Sequence, residues 1–155
     1  MSTAKRGNEA EALVLAALVN QGFEVLVPFG GGQPYDLAVD LGGRDFLRVQ
    51  CKRAWPMPGC LVFNCRSTDH GRGPQSYVGL ADIFGVYFPQ NGQVYLVPID
   101  GVAAFEGRLR LVRPRNNQRR GIRFAEDFEI ERWDRQALRK HLKRSPAPET
   151  ELNFA

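Results

Sequence analysis

The sequence predicts an α/β (α+β) sandwich built on a mixed β-sheet. Three observations carry this: an amphipathic helix stands near the N-terminus, short β-rich segments follow it, and Gly- and Pro-rich breaks separate them. The helix runs from Asn8 to Gln21, because Ala10, Leu13, Val14, Ala17 and Leu18 recur at i, i+3, i+4, i+7 and i+8 and Gly22 supplies a stop. A first strand spans Phe23 to Pro28 and ends at the "GGGQP" loop. Two more, Tyr35 to Leu41 and Asp45 to Ala54, are joined across "GGR". After a Pro-Met-Pro-Gly break comes a fourth, Cys60 to Cys65. "SYVGLADIF" predicts a short helix, "GVYFP" and "QVYLVPI" a hairpin around Asn91-Gly92, and "RLRLV" a further strand. "DRQALRKHLKR" reads as a short basic helix. Residues 1–144 then form a single domain, with 145–155 a flexible C-terminal tail.

Composition narrows the classes. A chain of 155 residues buries a proper core without disulfide or metal staples. No apolar run approaches the roughly 18 residues a membrane span needs. Three cysteines, an odd number, fit reduced thiols in a cytoplasm better than a disulfide framework. From Arg108 to Arg123 the chain carries seven arginines and no acid, while the acids gather just after, in "AEDFEIERWD". Such a stripe reads as an anion contact, most often nucleic-acid phosphate, or else as a solvated face.

The second and third strands fix a local geometry. With a three-residue loop, Leu37 meets Val49 and Val39 meets Leu47 on one face, while Asp36 meets Gln50 and Ala38 meets Arg48 on the other. A two-residue loop mixes apolar and polar residues on both faces, so the hydrophobic pattern selects the first register. One face thus gathers Asp36, Gln50 and Lys52. A carboxylate and an amide carbonyl are hard oxygen ligands suited to Mg²⁺, and the backbone carbonyl of Cys51 adds a third oxygen. A lysine beside them can orient a nucleophile or meet charge developing on a phosphate. The plain alternative is a polar surface with an Asp–Lys contact of little worth.

Glu11, Asp36 and the "QCK" triplet of Gln50, Cys51 and Lys52 resemble the motif of the PD-(D/E)XK nuclease superfamily, in the variant where glutamine replaces the last acid. "GNEAEALVLAALVNQGFEVLVPFGGGQPYDLAVD", "LRVQCKRAW", "YVGLADIFGVYFP" and "VYLVPI" are similar, in that order, to a small bacterial and phage endonuclease family that includes a homing enzyme of a cyanobacterial group I intron. Archaeal Holliday junction resolvases are more distant cousins. The resemblance implies a restriction-endonuclease-like αβββαβ core with a central mixed sheet flanked by helices. It also implies Asp36 and Gln50 as metal ligands, Lys52 as the catalytic lysine and Glu11 as an accessory acid. Tyr35 stands where the family name has proline, and the neutral Gln50 leaves the number of metal ions, one or two, open.

Each candidate has a plainer reading. Asn8 followed by Glu11 matches a capping box. Glu9 is a rival acid, but two residues make about 200° of helical turn, so Glu9 points nearly opposite to Glu11. Cys51, Cys60, Cys65 and His70 match no common zinc spacing, and buried thiols suit them better. "GGG" at 30–32 lacks the continuation of a phosphate loop and reads as a flexible loop near substrate. Tyr77 and Asp82 read equally as site neighbours or packing residues. The expected function is a Mg²⁺-dependent DNA endonuclease, with Mn²⁺ a substitute, acting on double-stranded DNA as a homo-oligomer, dimer or tetramer. Arg53, Arg115, Asn117, Gln118, Arg119 and Arg120 are the candidate DNA contacts. A homing enzyme competes with a junction or repair nuclease, and both with a non-catalytic nucleic-acid-binding module on a nuclease fold.

Overall fold

A computed structural model describes residues 2–67, 73–116 and 118–143. Its first element, α1, spans Thr3–Asn20. It begins earlier than the apolar periodicity indicates, because the Ser2 hydroxyl accepts from the Lys5 N–H at 3.3 Å and caps the first turn. Asn8 therefore lies inside the helix, and the Asn8–Glu11 capping box does not form. The C-terminal end follows the sequence: Gly22 takes φ +85°, its N–H donates to the Val19 carbonyl, and the Phe23 N–H donates to Leu18. This left-handed cap needs glycine's freedom, and Phe23 packs with Leu18 in the core beneath it.

Five strands build the main sheet: β1 (Glu24–Leu26), β2 (Leu37–Asp40), β3 (Phe46–Arg53) and, further along the chain, two that form a hairpin about Asn91-Gly92, Ile83–Phe88 and Gln93–Pro98. The β2–β3 register is the one the hydrophobic pattern selects, with Leu37 opposite Val49, Ala38 opposite Arg48 and Val39 opposite Leu47. Asp36 stands one residue before β2, and its N–H donates to the Val49 carbonyl at 2.9 Å.

A second, three-stranded sheet contains β4 (Trp55–Met57), β5 (Cys60–Asn64) and a later strand, Glu106–Arg110. Numbering in chain order makes Ile83–Phe88 β6, Gln93–Pro98 β7 and Glu106–Arg110 β8. The main sheet is ordered β1-β2-β3-β6-β7, with β3 and β6 parallel and the other neighbours antiparallel. β4 falls in the segment read as a break: Pro56 sits on an edge strand, where a missing N–H costs the ladder nothing.

The helix expected over 76–84 does not form. The Leu80 and Ala81 N–H groups both donate to the Tyr77 carbonyl, making one turn, and Gly79 inside it takes φ +79°, a left-handed backbone that no α-helix contains. Asp82 is then held by Arg48, which donates to it from its backbone N–H, Nε and Nη2. The middle helix of the αβββαβ pattern is reduced to this turn, and the second sheet covers that side instead. The basic helix near the C-terminus is short, α2 at Arg135–Arg139, N-capped by the Asp134 side chain. Arg139 pairs with Asp45 at 3.3 Å and so binds α2 to the β2–β3 turn.

Two cores result. Val14 and Leu18 of α1 pack on Leu37, Val39, Leu47, Val49 and Ile83. On the opposite face, Phe84, Val86, Tyr95 and Val97 pack on Leu61, Phe63 and Leu109 of the second sheet. Gly85 of β6 faces α1 so closely that a Cβ there lies 2.6 Å from Cγ1 of Val14. Among the described residues no helix is long and apolar enough to cross a membrane.

Candidate active site

The apolar alternation of β3 turns Leu47, Val49 and Cys51 into the α1 core, which sends Gln50 and Lys52 to the other face. Where β2 stops, the Asp36 side chain continues the pairing in place of backbone. Its Oδ2 accepts from the Cys51 N–H at 2.7 Å and from Gln50 Nε2 at 2.6 Å. Gln50 Nε2 also lies 3.5 Å from the Cys51 carbonyl oxygen. Sequence register thus brought Asp36 and Gln50 together, and the structure keeps them together through side chains.

Lys52 does not pair directly with Asp36. Its Nζ donates to the Arg66 carbonyl at 3.0 Å and to the Tyr77 hydroxyl at 3.2 Å, and it lies 4.4 Å from the Tyr77 ring centroid. Burial pulls the Lys52 ammonium down from 10.5 to about 8, against the pull of the Asp36 charge, which favours the proton. Burial pushes the Asp36 carboxyl up, while the Cys51 N–H and the Lys52 charge hold it back. Burial, and then the Asp36 charge, push Glu11 up as well. The Cys51 thiol is raised by burial and by both carboxylates. Glu11 and Asp36 therefore form one electrostatic neighbourhood about the Cys51 end of β3.

Glu9, on the other flank of α1, donates no charge to this site. Its carboxylate accepts from Arg53 Nη1, and that ion pair ties α1 to the end of β3. Arg53 is accordingly engaged within the protein.

A cleft of about 650 Å³ opens over the site, lined by Gly32, Gln33, Pro34, Asp36, Gln50 and Tyr77 among others. Of the three glycines at 30–32, Gly32 borders the cleft. Tyr77 belongs to the site, whereas Asp82 serves packing: its carboxylate is fully buried and neutralised by Arg48. Arg66 was missed from sequence, since what it contributes is a backbone carbonyl. Cys51, Cys60 and Cys65 are free and buried, which agrees with the thiol reading. Among the described residues no three His, Cys, Asp or Glu side chains gather to hold a metal. A hard-cation site here must therefore be completed by neutral oxygens.

The arginine stretch lies apart from these contacts. Arg115, Gln118, Arg119 and Arg120 are exposed in the segment after β8. Gln118 and Arg119 line a separate concavity of about 210 Å³ with Arg113, Phe124 and Glu126. Asn117, His70 and the tail at 145–155 lie outside the described residues.

The mixed sheet thus sets an acid and an amide at an open cleft, with a lysine on the same strand face as the amide and a helix-borne acid that feels the first acid's charge. The family model of PD-(D/E)XK endonucleases matches residues 1–131, and the chain belongs to that family. Among solved structures it is similar to the bacterial homing endonuclease I-Ssp6803I, with 25% identity, a TM-score of 0.64, and coverage of 90% of this chain and 94% of that one. No curated protein matches it.

Proposed function

We propose that the chain is a Mg²⁺-dependent endodeoxyribonuclease that hydrolyses phosphodiester bonds in double-stranded DNA, with Mn²⁺ able to replace Mg²⁺. The observation that carries this reading is Asp36 Oδ2, fixed between the Cys51 N–H and Gln50 at a cleft whose Tyr77 wall is bonded to Lys52. Asp36, the Gln50 amide oxygen and the Cys51 carbonyl are the ligands, all hard oxygens. Gln50 presents its Nε2 to Asp36 here; a half-turn of the amide places Oε1 on that side, the exchange a cation requires. Glu11 supplies a second negative charge nearby; burial pushes both carboxyls up, and the Asp36 charge adds to the push on Glu11. When bound, the cation supplies positive charge to the phosphate and a more acidic water.

The remaining steps belong to side chains of this chain. The Lys52 ammonium is held by partners that are neutral, so its charge stays available to meet negative charge growing on a phosphate oxygen. Cleavage leaves 3′-hydroxyl and 5′-phosphate ends. Arg115, Asn117, Gln118, Arg119 and Arg120 supply phosphate contacts along the duplex, and a homo-oligomer supplies a site for each strand. Free, buried cysteines suit a reducing cytoplasm. Likeness to a bacterial homing endonuclease supports a homing-type role over a junction or repair role.

The test is cleavage of plasmid DNA and of a four-way junction by wild type, Asp36→Ala and Lys52→Ala, with DNA affinity measured in Ca²⁺. Expected are cutting with Mg²⁺ or Mn²⁺, none in EDTA, and a loss of about 10² to 10⁴-fold in Lys52→Ala, with affinity changed only a few-fold. Activity that survives EDTA sinks the metal reading. A wild type that binds DNA and cuts nothing makes the chain a binding module, and preference for the junction replaces the homing role.

A further inference from the structure

We infer that Tyr77 is a positioning residue for Lys52: its hydroxyl, together with the Arg66 carbonyl, holds the ammonium at the Tyr77 wall of the cleft and off the Asp36 carboxylate. The inference rests on Lys52 acting as proposed above.

An untethered lysine so close to a carboxylate has an obvious alternative partner. The Asp36 charge attracts it, yet the bonds it makes run to two neutral oxygens, at 3.0 and 3.2 Å. Each of those oxygens is immobilised independently of the lysine. The Tyr77 ring is 8% exposed and meets Phe84 edge-on, with centroids 5.8 Å apart and planes at 90°. Its carbonyl accepts from the Leu80 and Ala81 N–H groups, which fixes the backbone that carries the ring. Arg66 is fixed by an antiparallel bridge to Ser76, the residue before Tyr77. Its N–H donates to Asn64 Oδ1 at 2.8 Å, its Nε donates to the Ala104 carbonyl at 3.1 Å, and its guanidinium stacks on the Phe105 ring at 3.6 Å. The two acceptors are therefore parts of one braced unit.

The geometry separates two tasks. Core packing uses the Tyr77 ring, which phenylalanine reproduces. Holding Lys52 uses the hydroxyl alone. Tyr77 also lines the cleft with Asp36 and Gln50, so an ammonium bonded to its hydroxyl is held against that wall. Without the hydroxyl, the four-carbon stem is free to swing toward Asp36, which removes the charge from its working position and neutralises the carboxylate at the same time.

The test is a cycle of Tyr77→Phe, Lys52→Ala and the double variant, read by single-turnover plasmid cleavage and by DNA binding in Ca²⁺. A hydrogen bond to a charged group corresponds to about 10- to 100-fold in rate. Tyr77→Phe is expected to lose that much with its affinity within about twofold of wild type. In the Lys52→Ala background the same change is expected to cost less than about twofold, because its effect runs through the lysine. Equal loss in both backgrounds, or no loss in the wild-type background, overturns the inference while leaving the endonuclease reading intact. Should the wild type cut nothing, that reading fails instead, and the tether is judged from ¹³C relaxation of the Lys52 Cε methylene in the DNA-free protein. A methylene that loosens in Tyr77→Phe upholds Tyr77 as its holder; one that does not overturns it.

Discussion

Gly85→Ala tests how α1 is seated, and with it the placement of Glu11. The new Cβ lies 2.6 Å from Cγ1 of Val14 and 3.1 Å from Cγ1 of Val49. Carbon atoms rest at about 3.5–4.0 Å, so the nearer contact is short by about 1 Å. Neither neighbour yields easily. Both are valines with zero exposure, and in a helix valine has essentially one rotamer. The helix must therefore lift from the sheet or the strand must bend, an overpacking that costs about 1–3 kcal/mol. For a chain of this size each kcal/mol moves Tm by about 2–4 °C, so melting is expected to fall by about 2–12 °C. Thermal unfolding followed by circular dichroism measures it. Val14→Ala alone leaves a cavity, but in the double variant the alanine at 85 partly fills that space, so the two costs add to less than their sum. Because Glu11 lies one turn before Val14 on α1, cleavage is expected to fall even at temperatures where the variant is folded. A Gly85→Ala protein that melts within about 1 °C of wild type, or a strictly additive pair, refutes this packing.

Other expectations follow from the same contacts. Replacing Arg115, Arg119 and Arg120 by alanine is expected to flatten the slope of log K against log salt by roughly 2 to 3 units, and an unchanged slope makes the stretch a solvated face. Asp82→Ala strips a fully buried carboxylate from three Arg48 donors, which is expected to cost about 3–5 kcal/mol in urea unfolding; a loss below about 1 kcal/mol contradicts that role. Lys52 titrates near 8 in the folded chain and 10.5 when unperturbed. Between those values the unfolded chain keeps a proton that the folded chain has released, so the Lys52 contribution to stability climbs as pH rises. Above 10 the raised Tyr77 hydroxyl acts in the opposite sense. Wild type is thus expected to gain stability relative to Lys52→Met from pH 8 to 10, and parallel profiles count against it.

What was legible in the sequence is what local pattern determines. Alternation along 36–53 set the β2–β3 register, and that alone brought Asp36 beside Gln50. The apolar stripe and Gly22 marked the body and end of α1, and Asn91-Gly92 marked the β6–β7 turn. The parts that were not legible depend on partners distant in sequence. β4 pairs with β5, but the sheet is completed by β8, which arrives only after β6 and β7. The turn at 77–81 has a composition compatible with helix, yet Arg48 captures Asp82 and Gly79 takes a left-handed backbone within the turn. The start of α1 was missed because a single serine, outside the apolar stripe, decides it. Lys52's two holders show both limits: Tyr77 was visible only as one of several aromatics, and the Arg66 carbonyl has no signature in the sequence at all.

The parallel pairing of β3 with β6 also sets an order of assembly. β2 and β3 are joined by a short turn and can zip as soon as they are made. β6, by contrast, reaches its place beside β3 only after the chain from Ala54 to Asp82 has looped back, and such distant pairings form late because loop closure comes first. Asp36 and Gln50 meet within the early hairpin, whereas Arg66 and Tyr77 lie on the returning segment. An incompletely folded chain thus holds its acid and amide together but leaves Lys52 unbraced. The braced position of Lys52 therefore comes into being only with that last closure.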